Sequence, residues 1–184
     1  MTTLFSETMT CCACGEDSEH QRIGSTYTGG SYDLDTRPPE LERSTLQYRI
    51  QRCPHCTYCA SNLDKCDGVN LDLIHSDEYW EIIDDVSIPQ KARDFLAACY
   101  LTESADHLRS ATWHAIDAAW ICDDRDEEEL ATSCRNRAID LGQRTVSRSE
   151  EISDQHGASE LLLVDLMRRA GRFDDASSII DKTG

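Results

Sequence analysis

Ten cysteines in 184 residues are the densest chemical signal in this chain. Cys11-Cys12-Ala13-Cys14-Gly15 contains one Cys-x-x-Cys turn, and Arg52-Cys53-Pro54-His55-Cys56 contains a second. A two-residue spacer lets a tight turn aim both sulfurs at one ion, and a glycine after the turn relieves the backbone. Two such turns supply four thiolates, enough to close a tetrahedral shell. Cys11, Cys14, Cys53 and Cys56 are therefore read as the ligands of one structural Zn2+. Four thiolates also suit a single iron or an iron–sulfur centre. A redox Cys-x-x-Cys is a further alternative, but it usually opens a helix beside a strand, and two pairs would need separate explanations. A closed shell leaves no position for water or substrate, which points to folding stability rather than hydrolysis.

The remaining thiols divide into two groups. Cys12 lies inside the first turn, and its side chain is expected to point away from the metal. Cys59 makes another Cys-x-x-Cys with Cys56, and Cys66 follows seven residues later. A shell rearranged through Cys59, or a second site from Cys59, Cys66 and His55 or His75, stays open; partly buried ordinary thiols are the preferred reading. Cys99, Cys122 and Cys134 fall singly inside helical patterns. Asp33, Asp35 and Glu40 resemble paired catalytic carboxylates only superficially. They share a loop, where a turn or a salt bridge with Arg37 is the simpler role. The six histidines are scattered, and no Ser/His/Asp or phosphate-loop pattern has supporting context. A non-enzymatic protein is expected.

The elements that must hold these residues change character near residue 73. The expected fold class is α+β, mostly α: a small β zinc ribbon over 1–72, then a tetratricopeptide-like antiparallel helical array over 73–184. Residues 1–10 read as a frayed lead-in. QRIGSTYTGG and LQYRIQRC read as β segments, the latter alternating Leu46, Tyr48 and Ile50 and feeding the second cysteine turn. Pro89 fits the first turn of a helix running to about Leu101. Segments 108–123 and 127–141 form one candidate helix pair, 158–170 and 173–182 another, with 142–157 either a helix extension or a linker. Leu162, Leu166 and Ala170, widened by Leu163 and Met167, make a helical stripe. Phe173, Ala176, Ile179 and Ile180 make the next one. The turn Gly171-Arg172-Phe173-Asp174-Asp175-Ala176 resembles that of a tetratricopeptide repeat. However, 47 residues separate Trp120 from its counterpart Met167, against a period of about 34. The repeats are degenerate or interrupted, and an ordinary helical bundle is the alternative. Trp113 and Trp120 are read as core.

The net charge of −17 excludes the broad basic surface that neutralises phosphates, so nucleic-acid binding is disfavoured. Asp123–Glu129 holds six acids in seven residues and is read as a solvated helix start. The N-terminus lacks a basic start followed by an apolar run, and no apolar stretch approaches the about 20 residues of a membrane span. A cytoplasmic protein is expected, and in a reducing compartment clustered cysteines favour metal over disulfides.

Cys-x-x-Cys-Gly, the loop Gly30-Ser31-Tyr32-Asp33-Leu34-Asp35-Thr36-Arg37-Pro38-Pro39, and Arg52-Cys53-Pro54-His55-Cys56-Thr57-Tyr58 together resemble the bacterial DUF2225 family. Ala118-Ala119-Trp120 and Arg135-Asn136-Arg137-Ala138 fit its helical part. The resemblance implies an N-terminal zinc-ribbon region followed by tetratricopeptide-like helices, and no settled activity. Thr57 departs from the glycine common after the second turn. The expected role is an interaction or adaptor module whose helical groove takes a protein or peptide partner, of basic character if charge decides. One competing expectation is a zinc-ribbon nucleic-acid or transcription-associated factor using Arg22, Arg43, Arg49 and Arg52. Another is a redox sensor using Cys56, Cys59 and Cys66.

Overall fold

The computed structural model describes residues 1–34, 36–155 and 157–183; Asp35, His156 and Gly184 lie outside the described residues. The chain begins with a hairpin. Strand β1, Thr3–Thr10, pairs antiparallel with β2, Asp17–Ser25, with Thr10 opposite Asp17. The first cysteine turn joins them. Residues 3–10 are thus a strand and not a frayed lead-in. Of the β1 side chains only Met9 is buried, so no apolar stripe advertises the strand; its order comes from ladder bonds to β2. The LQYRIQ segment differs as well. Arg43–Tyr48 is a 3-10 helix, and only Gln51–Arg52, β3, is extended, pairing with β4, Cys59–Ala60. Leu46 and Ile50 are both buried, and their four-residue separation suits a helical turn as well as their alternation suits a strand.

Six α-helices follow among the described residues: α1 Asp77–Asp84, α2 Gln90–Ser104, α3 Leu108–Asp123, α4 Glu128–Ser147, α5 Ala158–Arg169 and α6 Phe173–Thr183. The Ser76 hydroxyl caps α1 by accepting from the Tyr79 N–H at 3.2 Å. Pro89 stands immediately before α2. Each helix packs against its sequence neighbours, and the short turns between them reverse the chain. Residues 142–147 extend α4, and an irregular segment then leads to α5.

Small residues set the helix spacing. Ala92, Ala97 and Ala98 of α2 and Ala111, Ala115 and Ala118 of α3 are all buried, so backbones approach closely. Gly142 does the same between α4 and α5: an added Cβ would lie 2.8 Å from Leu163 and 2.9 Å from Ile152. Larger side chains fill the gaps, with Trp120 and Ile139 buried beside Leu163 and Met167.

Head and helices share their core. One buried cluster runs from Met9, Ile50, Tyr58 and Leu63 to Phe95 and Ala118, and Leu46 joins the cluster built around Trp120. Arginine–carboxylate contacts span this seam. Arg49 reaches Asp117 at 3.2 Å, and Arg52 reaches buried Asp94 at 3.6 Å. Buried Arg37 crosses to the end of α3, where it pairs with Asp124 and donates to the Trp120 carbonyl. Within its own loop the Arg37 carbonyl accepts the Asp33 N–H at 3.0 Å, while a pairing with Asp35 falls outside the described residues. The acidic run therefore begins as structure. Asp124 also takes Arg43, and Asp123 takes Arg135 and Arg169. Only its later members make the expected acidic helix start, Glu128 and Glu129 in the first turn of α4. No helix among the described residues is long and apolar enough to cross a membrane.

Candidate metal centre

Each cysteine turn is built by the same two backbone bonds. In the first, the Cys11 N–H donates to the Glu16 carbonyl at 2.9 Å and the Gly15 N–H to the Cys11 carbonyl at 2.7 Å. In the second, the Cys53 N–H donates to the Tyr58 carbonyl at 2.9 Å and the Thr57 N–H to the Cys53 carbonyl at 3.0 Å. Both turns close through a left-handed residue, Gly15 at φ +77° and Thr57 at φ +64°. The flanking hairpins, β1–β2 and β3–β4, hold the turns face to face.

The four sulfurs converge. Cys11 Sγ lies 3.6 Å from Cys56 Sγ, Cys14 Sγ lies 3.7 Å from Cys53 Sγ, and all four fall within 4.8 Å of one another. A regular tetrahedron with metal–sulfur bonds of about 2.3 Å has sulfur–sulfur edges of about 3.8 Å. The cluster fits that figure and can hold a metal ion. Among the described residues it is the one group of histidine, cysteine and carboxylate ligands with such geometry. Burial raises the Cys11 and Cys56 thiols. At Cys53 burial pushes up too, but the His55 and Cys56 amides and the neighbouring thiols outweigh it and leave the thiol lowered. A cation at the centre would deprotonate all four.

The surplus cysteines stand apart from this shell. Cys12 points away from it, as expected, and is disulfide-bonded to Cys66 with Cα atoms 5.8 Å apart. That pair corrects the reading of Cys12 and Cys66 as ordinary thiols; connectivity cannot be deduced from spacing. Cys59 is buried, its thiol pushed up to about 12 by burial, and donates to the Thr57 carbonyl at 3.3 Å. The same carbonyl accepts the Tyr79 hydroxyl at 2.8 Å, which ties the second turn to α1. His55 is exposed. Neither Cys59, Cys66, His55 nor His75 belongs to the cluster. Glu40 accepts the Ser44 hydroxyl at 3.1 Å, and the Asp33 carbonyl accepts the Thr36 N–H; both serve their loop. Each arginine proposed for nucleic acid has a carboxylate neighbour: Arg22 with Glu7, Arg43 with Asp124, Arg49 with Asp117, Arg52 with Asp94.

What spacing did not reveal is a cavity of about 560 Å³ at the seam, between the head and α2–α3. Its floor holds Asp117, which burial lifts to about 7 against the downward pull of Arg49. One helical turn away, burial lowers His114 to about 4. No curated protein and no solved structure matches this chain. The model of one family, described as an uncharacterized protein conserved in bacteria (DUF2225), matches residues 4–183. With nearly the whole length matched, the chain belongs to the DUF2225 family.

Proposed function

We propose that this protein is a non-enzymatic, zinc-stabilised interaction module, in which a zinc-ribbon head braces a tetratricopeptide-like helical array that binds a peptide. Zinc is favoured by the donor set, since four thiolates in a tetrahedral shell suit a borderline-soft cation with no geometric preference. The closed shell offers structure rather than chemistry. In support of the array, α3–α4 and α5–α6 form helix hairpins, the second turning at Gly171 with φ +74°.

The observation that carries the reading is an apolar groove beside an acidic shelf. Ile82, Ile88, Leu96, Tyr100 and Leu130 line a depression of about 280 Å³ between α1, α2 and α4. Leu130 also borders a second hollow lined by Asp126, Glu127, Glu128 and Glu129. An apolar anchor flanked by Lys or Arg suits this pairing of surfaces. This keeps a basic peptide as partner and assigns the acidic helix start a second role.

Fluorescence anisotropy with labelled helical peptides tests it. Peptides carrying a Leu or Phe anchor between basic residues should bind, and acidic-flanked versions should not. Leu130→Asp should abolish binding, and joint neutralisation of Glu127, Glu128 and Glu129 should remove its salt dependence. Equal binding of both peptide sets, or none, overturns the reading. The nucleic-acid alternative would instead require a shift lost in an Arg49, Arg52 double variant. Rapid thiol labelling of Cys56 and Cys59 in metal-loaded protein would favour a redox sensor.

A further inference from the structure

The seam cavity gathers arginines in its lining, although the chain as a whole is acidic. The head lines it with Arg22, Tyr48 and Arg49, and the helices add Arg109, Trp113 and Asp117. Three guanidiniums face one carboxylate there, in a chain whose net charge is −17. We propose that this cavity binds a small anion carrying a planar ring, with the arginines holding the carboxylate or phosphate and the aromatic residues holding the ring.

Size and position fit. About 560 Å³ falls in the range of cofactor and drug-sized ligand sites, which gather where structural units meet. The arginines have donors to spare. Arg22 gives Nη1 to the Ser61 carbonyl at 2.9 Å and sets Nε 3.3 Å from Glu7. Arg49 holds Asp117 at 3.2 Å and Glu42 at 3.8 Å, and Arg109 meets Asp154 at 2.6 Å. A guanidinium carries five N–H donors, more than these contacts use, and its planar fork matches carboxylate or phosphate oxygens in pairs.

The aromatic wall is fixed in advance. Trp113 donates its indole N–H to the Ile152 carbonyl at 2.9 Å, and its ring centroid lies 6.4 Å from that of buried Trp120. With its polar edge engaged, the indole offers its apolar body to the cavity it lines, alongside Phe95 and Tyr48. Burial raises Asp117 to about 7, so it also opposes an incoming anion less than an ordinary aspartate would. The seam lies apart from the groove assigned to peptides, since the two share none of their lining residues.

The test uses the full metal-loaded chain and isothermal titration calorimetry at low salt. The probes are indole-3-acetate, adenosine monophosphate, uncharged adenosine and inorganic phosphate. Binding of either ring-bearing anion, with adenosine and phosphate at least about tenfold weaker, supports the site; the two anions together tell a carboxylate from a phosphate source. Arg109→Gln removes charge-assisted bonds at an exposed position and should weaken the preferred probe about tenfold or more. Arg172→Gln, a surface arginine outside the cavity, should leave that affinity unchanged. Should neither anion bind more tightly than about 1 mM, or Arg109→Gln bind as the parent does, the proposal fails. Bound probe should also shift tryptophan emission, and a shift retained in Trp113→Phe would place the ligand elsewhere and equally overturn it.

Discussion

Residues 1–60 and the helices after Asp77 reach order by different physical means. In the head, regular structure amounts to two short hairpins and a 3-10 turn. Its long-range ties are four converging sulfurs, a disulfide to Cys66 and arginines that reach across to α2 and α3. In the helical body the ties are buried alanines between α2 and α3 and the large side chains around Trp120. Local propensity and apolar stripes suffice for the second kind of order. The first kind rests on cross-links, because β1 buries only Met9 and a two-stranded hairpin alone is marginal. Head and body should therefore respond to different insults, even though one buried cluster joins them.

Metal removal should separate them most sharply. Structural zinc contributes apparent free energies of about 10–16 kcal/mol at neutral pH, comparable with the whole stability of a domain. Chelation, or Cys53→Ser, should expose β1–β4 amides to rapid hydrogen exchange while α3 and α4 keep protection and most helical ellipticity remains. Uniform loss of protection across the chain would show that head and body form one cooperative unit. Unchanged exchange in the head would refute the cross-link account.

The disulfide should matter less, and by an amount that depends on the metal. Cys12 and Cys66 are 54 residues apart, and closing such a loop is worth about 4 kcal/mol in the chain-entropy model. With metal bound, Cys11 is already pinned to Cys56, so the disulfide closes only about ten further residues, worth about 3 kcal/mol. Cys66→Ser should thus lower the denaturant midpoint of the metal-loaded protein by about 3 kcal/mol equivalent. Full additivity of this loss with metal removal would mean that the two links act on separate segments.

The seam gives a smaller, pH-dependent effect. Asp117, on α3, faces Arg49 from the head, and His114 lies one turn before it in the same cavity, which Arg22 and Arg109 also line. Burial raises Asp117 to about 7, so its contribution to stability is present at low pH and lost as pH climbs from about 4 to 7. Burial lowers His114 to about 4, so its contribution runs the other way, growing between about 4 and 6.5. The two nearly cancel in the parent. Asp117→Asn removes one side, and stability should then rise by about 1–2 kcal/mol between pH 4.5 and 7. Urea midpoints across that range measure it; a parent-like flat profile would show that Asp117 does not titrate there.

How much of this was legible depends on how local the cause is. That Cys11, Cys14, Cys53 and Cys56 come together could be read because a Cys-x-x-Cys turn is set by its own few residues. Helices α3, α5 and α6 could be read because Trp113, Ile116 and Trp120, or Leu162 and Leu166, repeat at helical spacing. Strand β1 could not, since its exposed threonines, serine and glutamate carry no burial pattern and its partner β2 supplies the order. The Leu46–Ile50 stretch misled because one short apolar run satisfies both periods. The Cys12–Cys66 pairing was out of reach because spacing does not give connectivity, and the seam cavity because its residues meet only after head and body have docked. Arg22, Arg49, Arg109 and Asp117 look like ordinary surface charges in a linear reading.

The smallest predicted effect compares the two cysteine turns directly. They share both backbone bonds and end on a left-handed residue, yet one uses Gly15 and the other Thr57. A β-branched residue at φ +64° meets steric opposition that glycine avoids, worth about 1–2 kcal/mol. Thr57 recovers part of it by donating its hydroxyl to the Cys56 carbonyl at 2.6 Å, and glycine adds unfolded-state entropy. Thr57→Gly should therefore stabilise the metal-loaded protein by only about 0.5–1 kcal/mol. The reciprocal Gly15→Thr should destabilise it by about 1–2 kcal/mol. A Cβ at Gly15 meets nothing within 4 Å, so crowding cannot account for that loss. Thermal midpoints of the two variants measure the pair. Opposite signs would establish that both turns close through the same backbone state, and equal losses would mean that the Thr57 side chain, rather than the shape of its turn, secures the second pair of sulfurs.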